Sequence, residues 1–251
     1  MTIPVVFSTD HGYIMPTGVA ILSMLECSKD VFCDIIILTS ADVTEDDKHS
    51  LQEIVEPYNA KISFSRMGNE FVGAFEIRGI TEACYYRLLI PWLVPQYDKI
   101  VYCDGDIAFV QSISKLYSQE LGNNYVAGKK PYLYNKKSFA NYAPKLGLLP
   151  SEYINSGILV INAKLMRQHQ LNKCFMEEAQ KEYTFQDQDI INVVCKGRIA
   201  TLPPEFNVGI YPPQFQRLSI IMQERNHGTT IPTTGRHGGV YIASRRSSML
   251  A

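Results

Sequence analysis

The run Asp34-Ile-Ile-Ile-Leu-Thr39 is apolar at every interior position and leaves no polar face for solvent. A strand of this kind must be covered on both sides, which is the setting of a central strand in a parallel sheet flanked by helices. The neighbouring segments supply such a setting. Pro4 to Thr9 reads as a strand, and Pro16 to Cys27 reads as a helix whose Val19, Ala20, Leu22, Met24 and Leu25 leave little polar surface. Thr44 followed by Asp47 opens a helical stretch carrying Leu51, Ile54 and Val55, and Lys61 to Phe64 gives a third strand. Strand and helix in alternation predict parallel strands joined by right-handed crossovers, a doubly wound α/β architecture of the nucleotide-binding type.

A further apolar strand, Lys99-Ile-Val-Tyr-Cys103, runs directly into Asp104-Gly105-Asp106. In open α/β sheets ligands bind in the crevice at the carboxyl ends of the strands, so this strand delivers two carboxylates to a ligand site. Two such groups make a seat for a hard divalent cation, whose coordination is commonly completed by substrate phosphates. The triplet alone is not specific. Asp187-Gln188-Asp189 is a second copy, and Asp-Gly is also a favoured turn pair.

At 251 residues with 46% hydrophobic composition, the chain has material for one α/β domain with a sizeable core. Its 24 basic and 25 acidic residues give a formal charge of −1, so no long-range field favours nucleic acid or an anionic membrane. The amino terminus enters a strand at once, without the pattern that export requires, and no stretch reaches a membrane-spanning length. Six cysteines without a Cys-x-x-Cys pair fit buried, reduced thiols in a cytoplasmic protein and give no support for a zinc site.

Glu82 to Leu93 reads as a helix with Arg87 as its one basic residue among Tyr85, Tyr86, Leu88, Leu89 and Trp92. Two readings of Arg87 stand side by side: a stem lying over apolar surface with its head in water, or a clamp on phosphate or carboxylate. Further along, Ile113 to Leu121 is predicted as a short helix, Tyr125 to Gly128 and Ile158 to Ile161 as strands, and Lys129 to Pro150 as a substrate-facing loop region. Ala163 to Tyr183 is predicted as one helix with Leu165, Met166, Leu171 and Phe175 toward the core. Gln186 to Val194 is another helix, its acids placed where a helix amino terminus stabilises negative charge. From about Tyr211 prolines, threonines and glycines accumulate, which separates a main domain at 1–208 from an atypical segment at 209–251, packed on or trailing from it.

Five segments, in this order, resemble glycosyltransferase family 8, the retaining enzymes that include bacterial lipopolysaccharide galactosyl- and glucosyltransferases and glycogenin. They are Val6-Phe-Ser-Thr-Asp10, Tyr85-Tyr-Arg-Leu88, Val101-Tyr-Cys-Asp-Gly-Asp106, Tyr153-Ile-Asn-Ser-Gly157 with Val160-Ile-Asn162, and Phe185-Gln-Asp-Gln-Asp-Ile-Ile-Asn192, and they extend over roughly residues 3 to 208. The resemblance implies a Rossmann-like GT-A fold, with a mainly parallel central sheet and helices on both faces. It implies a UDP-sugar donor whose nucleoside meets Asp10, with Ser8 and Thr9 nearby, and whose diphosphate meets manganese or magnesium held by Asp104 and Asp106, with Gly105 keeping the approach uncrowded. Arg87 falls where the family places a basic residue beside the donor.

Asn155, Asp187 and Gln188 match positions lining the sugar and acceptor pocket, where amides and carboxylates read hydroxyl orientation. Gln188 is expected to stabilise developing positive charge in a same-face displacement, with Asp189 as the alternative participant. The implied activity is transfer of galactose or glucose from a UDP-sugar to a saccharide or glycolipid acceptor in surface-glycan synthesis, at the inner face of the membrane if membrane contact is made at all.

One family element has no counterpart in this chain. The closing His-x-x-Gly-x-x-Lys-Pro-Trp motif is replaced by Arg236-His237-Gly238-Gly239-Val240, so His237 is the remaining candidate for a third metal ligand. Loss of a metal ligand and a phosphate-binding cation would under-stabilise the leaving group, which admits a second reading as a catalytically weak nucleotide-sugar binder. A third, an Asp104-nucleophile phosphohydrolase, wants a Gly-Thr or Gly-Val pair where this chain has Ile107-Ala108.

Overall fold

The computed structural model describes residues 1–71, 74, 82–131 and 137–208. Segment 209–251, with His237, lies outside the described residues. The first part follows the strand and helix alternation of the sequence: β1 (Thr2–Thr9), α1 (Ile14–Cys27), β2 (Phe32–Thr39), α2 (Glu45–Val55) and β3 (Ala60–Arg66). α3 (Ile90–Leu93), β4 (Lys99–Cys103), α4 (Ser114–Tyr117), β5 (Val126–Gly128), α5 (Lys137–Tyr142), β6 (Ile158–Asn162), α6 (Ala163–Gln168), α7 (Leu171–Glu178), α8 (Gln186–Val194) and β7 (Ile199–Thr201) complete it. The seven strands form one sheet in the order β3-β2-β1-β4-β6-β5-β7.

Both faces of the sheet are covered, as the unbroken apolar run of β2 requires. Ile35 and Ile37 join Val5, Phe7 and Val101 under Ile21, Met24 and Leu51 on one face. Ile36 and Leu38 join Val6, Ile100 and Leu159 under Tyr85, Leu88, Phe175 and Ile190 on the other. Period-two alternation of a fully apolar strand thus feeds two separate cores.

The sheet is mainly parallel, as expected: β1, β2, β3 and β4 pair in parallel and β5 pairs in parallel with β7, and β6 alone is antiparallel to both its neighbours. Two expectations about local structure are corrected. The segment from Glu82 to Leu93 is not one helix but two 3₁₀ turns, Glu82–Cys84 and Tyr86–Leu89, followed by α3. Pro91 accounts for the break, because it has no N–H to donate to the carbonyl of residue 87 and instead sits in the first turn of a new helix.

The single helix expected over Ala163 to Tyr183 is likewise two, α6 and α7, parted at Gln170 with φ of 54°. Met166 and Leu171 both bury in the same core, yet at about 100° per residue a continuous helix would point them roughly 140° apart. Breaking the helix returns both to one face. The cysteines are free, with Cys33, Cys84, Cys103 and Cys195 buried, Cys27 partly buried and Cys174 exposed. Burial pushes the Cys33 thiol up to about 11.

The start of α2 is tied to the end of β1. Thr44 Oγ1 accepts from the Asp47 N–H at 3.1 Å while Asp47 Oδ2 accepts from the Thr44 N–H at 2.8 Å, the reciprocal box that the Thr44 and Asp47 spacing predicts. His11 Nδ1, in the short turn after β1, lies 2.8 Å from the same Asp47 oxygen. That hydrogen bond raises the imidazole, and it is the first cause, ahead of the Thr44 amide, holding the Asp47 carboxyl at about 2.

A raised histidine contributes stability below its ordinary value near 6.5 and loses it as pH rises through the raised one. A depressed carboxylate contributes above its ordinary value near 4 and loses it as pH falls toward 2. The tie is therefore complete between about pH 4 and 6.5. A proton NMR titration should find His11 above 6.5 and Asp47→Asn should return it there; an unmoved histidine would remove the link.

Candidate active site

The topology gathers the sequence candidates along one edge. β1 to β5 and β7, apart from the reversed β6, point their carboxyl ends the same way, and β6 brings its amino end to that edge. Ser8 to Asp10 close β1, Asp104 to Asp106 lie just past β4, and Asn155 to Gly157 precede β6 there. The edge is knitted between strands by the Asp104 N–H donating to the Gly157 carbonyl at 2.8 Å and the Asn155 N–H donating to the Lys129 carbonyl at 2.7 Å. α8 docks onto it through buried Asn192, whose side chain exchanges two 2.8 Å hydrogen bonds with the backbone of Ile154. The helix begins at buried Gln186 with φ of 44°, a costly conformation for a non-glycine residue, and presents Asp187 and Gln188 immediately after it.

Arg87 stands at the centre of this assembly, with its side chain 1% exposed. Nη1 lies 2.9 Å from Asp104 Oδ1 and donates to the Ser156 carbonyl at 2.8 Å; Nε lies 3.0 Å from Asp187 Oδ2 and donates to the Cys84 carbonyl at 2.9 Å. Its guanidinium carbon rests 4.5 Å from the centre of the Tyr102 ring. Of the two readings open from sequence, the one with the head in water does not hold, because the buried guanidinium bridges two carboxylates of the chain itself. Burial by itself would lower the guanidinium pKa, but Asp104 and then Asp187 outweigh it and raise it.

Tyr102 extends the arrangement toward β1. Its hydroxyl donates to Asp104 Oδ1 at 2.9 Å and lies 3.1 Å from Ser8 Oγ. Asp10 is half-buried at the crevice and its Oδ1 accepts from the Tyr13 N–H at 3.1 Å. Thr9, by contrast, is turned into the fold: its hydroxyl is buried, donates to the Asp10 carbonyl and accepts from Thr17. Gly105 is also explained by packing, since a Cβ there would come within 2.4 Å of Thr17 Oγ1 on α1. The glycine between the two aspartates is thus required by the helix behind them.

Gln188 is held at both ends of its amide. Oε1 accepts from Asn155 Nδ2 at 2.8 Å and from the Ser156 N–H at 3.3 Å, and Nε2 donates to the Tyr153 hydroxyl at 3.0 Å. The amide oxygen, the atom suited to developing positive charge, is therefore engaged by two donors, which runs against the role expected for it. Asp189 is fully buried and its carboxylate accepts from the Tyr142 and Tyr153 hydroxyls and from the Phe185 N–H. Burial raises its pKa, with the two phenols opposing. Such a carboxylate organises its neighbours and is not poised to attack a substrate.

Asn155 Oδ1 accepts from the Gly157 N–H at 2.9 Å and from Asn207 Nδ2 at 2.7 Å. Ser156 Oγ donates to Asp187 Oδ2 at 3.0 Å. Tyr102, Tyr142, Ser156 and Asn207 were not singled out from sequence. Tyr102 carried a faint signal as the one phenol in an apolar strand, while Asn207 at φ of 55° shows only that asparagine tolerates this backbone region.

The donor set suits a hard divalent ion to the extent of two carboxylates. Asp104 Oδ2 faces Gly157, where a Cβ would stand 2.9 Å away, so the missing side chain leaves room against that oxygen. Asp104 and Asp187 share the one positive charge of Arg87, and Asp106 follows Asp104 two residues on at the same strand end. Among the described residues no set of three acidic, histidine or cysteine side chains is placed to hold a metal.

The family model described as Glycosyl transferase family 8 matches residues 4–222. The chain belongs to that family. A putative glycosyltransferase of Haemophilus influenzae is 26% identical over 211 residues, covering 82% of this chain and 63% of the relative. The lipopolysaccharide 1,2-glucosyltransferase of Escherichia coli is 24% identical over 209 residues, covering 81% and 61%. This family 8 chain thus spans less than two thirds of the length of these curated relatives. Among solved structures, the galactosyltransferase LgtC in complex with donor and acceptor sugar analogs superposes with a TM-score of 0.74 at 25% identity, covering 82% of this chain and 75% of that one. The GT-A fold follows from these likenesses. No helix among the described residues is long and apolar enough to cross a membrane.

Removing the guanidinium strands two carboxylates, one of them almost fully buried. Arg87→Met should cost about 3 kcal/mol or more of unfolding free energy in urea, with Arg87→Lys intermediate because an ammonium cannot bridge both acids. Asp187→Asn in the Arg87→Met background should recover part of the loss. Equal stability of Arg87→Met and the parent would mean that the bridge is dispensable.

Proposed function

We propose that this protein is a retaining, metal-dependent hexosyltransferase that moves galactose or glucose from a UDP-sugar to a saccharide or glycolipid acceptor in lipopolysaccharide or other surface-glycan synthesis, working in the cytoplasm. The observation that supports this reading is the Arg87 bridge, which holds Asp104 and Asp187 together at a single sheet edge; in this reading Asp104 faces the diphosphate and Asp187 the sugar.

In this reading Asp104 and Asp106 hold manganese or magnesium, with His237 as the candidate third ligand. A cation there would neutralise the charge gathering on the departing diphosphate. Arg87 fixes the direction of Asp104. Asp10 and Ser8 meet the nucleoside, and Asn155, Asp187 and Gln188 read the hydroxyls of the transferred sugar by hydrogen bonds whose loss would discriminate against a wrong epimer. The bond from the anomeric carbon to the phosphate oxygen breaks while the acceptor oxygen bonds to that carbon on the same face, its proton passing to the departing phosphate. The buried, phenol-bound state of Asp189 supports this route over attack by a protein carboxylate.

Calorimetric titration of UDP with and without manganese, on the parent and on Asp104→Asn, tests the metal seat. Manganese should tighten UDP binding at least about tenfold in the parent and by much less in the variant. The same Kd in all four titrations would sink the assignment. Release of UDP from UDP-galactose or UDP-glucose then separates an enzyme from a protein that only binds the donor.

A further inference from the structure

A hydrogen-bond chain with a fixed direction runs from Asp189 to Asn207. A carboxylate only accepts, so the Tyr153 hydroxyl must spend its proton on Asp189 Oδ1. Burial, with Asp189 second, raises the Tyr153 phenol well above its ordinary range, so that proton stays in place. Having donated, the Tyr153 oxygen can only accept from Gln188, which obliges Gln188 to turn Nε2 toward it at 3.0 Å. The other end agrees independently, because the Ser156 backbone N–H and Asn155 Nδ2 both need an acceptor and find Oε1. Asn155 is then oriented in turn, its oxygen accepting from the Gly157 N–H and Asn207 Nδ2. Tyr142 and the Phe185 N–H hold the far oxygen of Asp189, so the carboxylate anchoring the chain cannot rotate away.

We propose that Tyr153 is a positioning residue that sets which way round the Gln188 amide faces, so that Gln188 offers a bound sugar a hydrogen-bond donor and never an acceptor. Both lone pairs of Oε1 are engaged, and among the described residues one Nε2 hydrogen has no partner. The group that this hydrogen suits is an oxygen: a hydroxyl of the donor or acceptor saccharide, or the phosphate oxygen leaving the anomeric carbon. Asp189 acts through Tyr153 and touches no reacting atom. This inference rests on the transferase reading for its consequence in rate, but the orientation of the amide stands apart from that reading and can be observed without turnover.

Tyr153→Phe removes the hydroxyl alone. In nitrogen-15 spectra of the full chain, the Gln188 side-chain NH₂ pair, assigned by its disappearance in Gln188→Ala, should shift in Tyr153→Phe and stay in place in a surface control such as Lys164→Gln. With UDP-galactose and UDP-glucose as probes, kcat for UDP release should fall about tenfold or more in Tyr153→Phe while KM and the Kd for UDP hold within about twofold. The double variant Tyr153→Phe/Gln188→Ala should be no slower than Gln188→Ala alone. An unmoved NH₂ pair, or rate losses that multiply, would overturn the proposal. Should Tyr153→Phe fail to fold, Gln188→Glu supplies the decisive case: it keeps the shape but has no donor, and a rate equal to the parent's would overturn the proposal too. If the parent releases no UDP from either sugar, the transferase reading has failed, and the NH₂ spectra still decide the orientation.

Discussion

A buried guanidinium is tolerable only where its charge and its donors are met, and Arg87 meets both requirements with atoms drawn from distant parts of the chain. Asp104 and Asp187 balance the charge, and the carbonyls of Cys84 and Ser156 take further N–H groups. Each partner belongs to a different structural unit: the loop after β4, the start of α8, the 3₁₀ segment and the bend before β6. Fixing one cation therefore fixes four pieces of backbone relative to one another. An apolar residue of the same volume could fill the space, but it would not specify the directions of the two carboxylates.

The reversed strand β6 explains why the side chains it brings to the crevice differ in kind from those at the ends of β1 and β4. Strands that end at the crevice contribute the residues just past their last pair, as with Asp10 and Asp104. β6 begins there, so its contribution is the turn that precedes it, Asn155-Ser156-Gly157. That turn needs small residues and side chains able to bond its own backbone: Asn155 Oδ1 takes the Gly157 N–H, and Gly157 gives Asp104 room. The antiparallel insertion therefore brings amide and hydroxyl groups to the crevice directly beside Asp104.

Much of this was legible in the sequence, and the parts that were not share a cause. The two-sided burial of β2, the Thr44 and Asp47 box and the arrival of Asp104 at a strand end come from local pattern, since the residues concerned are neighbours in the chain. Arg87 was legible as an anomaly, a lone cation in an apolar segment, but its partners lie 17 and 100 residues further along. Asp189 was misjudged for the same reason. Its acidity suggested chemistry, whereas Tyr142, 47 residues away, and Tyr153, 36 residues away, tie its carboxylate to the fold. Gly105 was assigned to ligand approach because Thr17 could not be seen pressing from behind. The helix breaks before Pro91 and at Gln170 required weighing a local rule against the geometry of the core, which periodicity alone does not do.

The distance along the chain between Arg87 and Asp187 also bears on how the protein emerges from the ribosome. At ~5–20 residues per second, about 5 to 20 seconds pass between the synthesis of the arginine and that of its second acid. Throughout that interval β1 to β4 can assemble around their own cores, but the guanidinium has only one of its two acid partners, and its Nε contact with Asp187 has to await α8. The nascent amino-terminal half therefore carries an incomplete seam where the finished protein joins β4, β6 and α8.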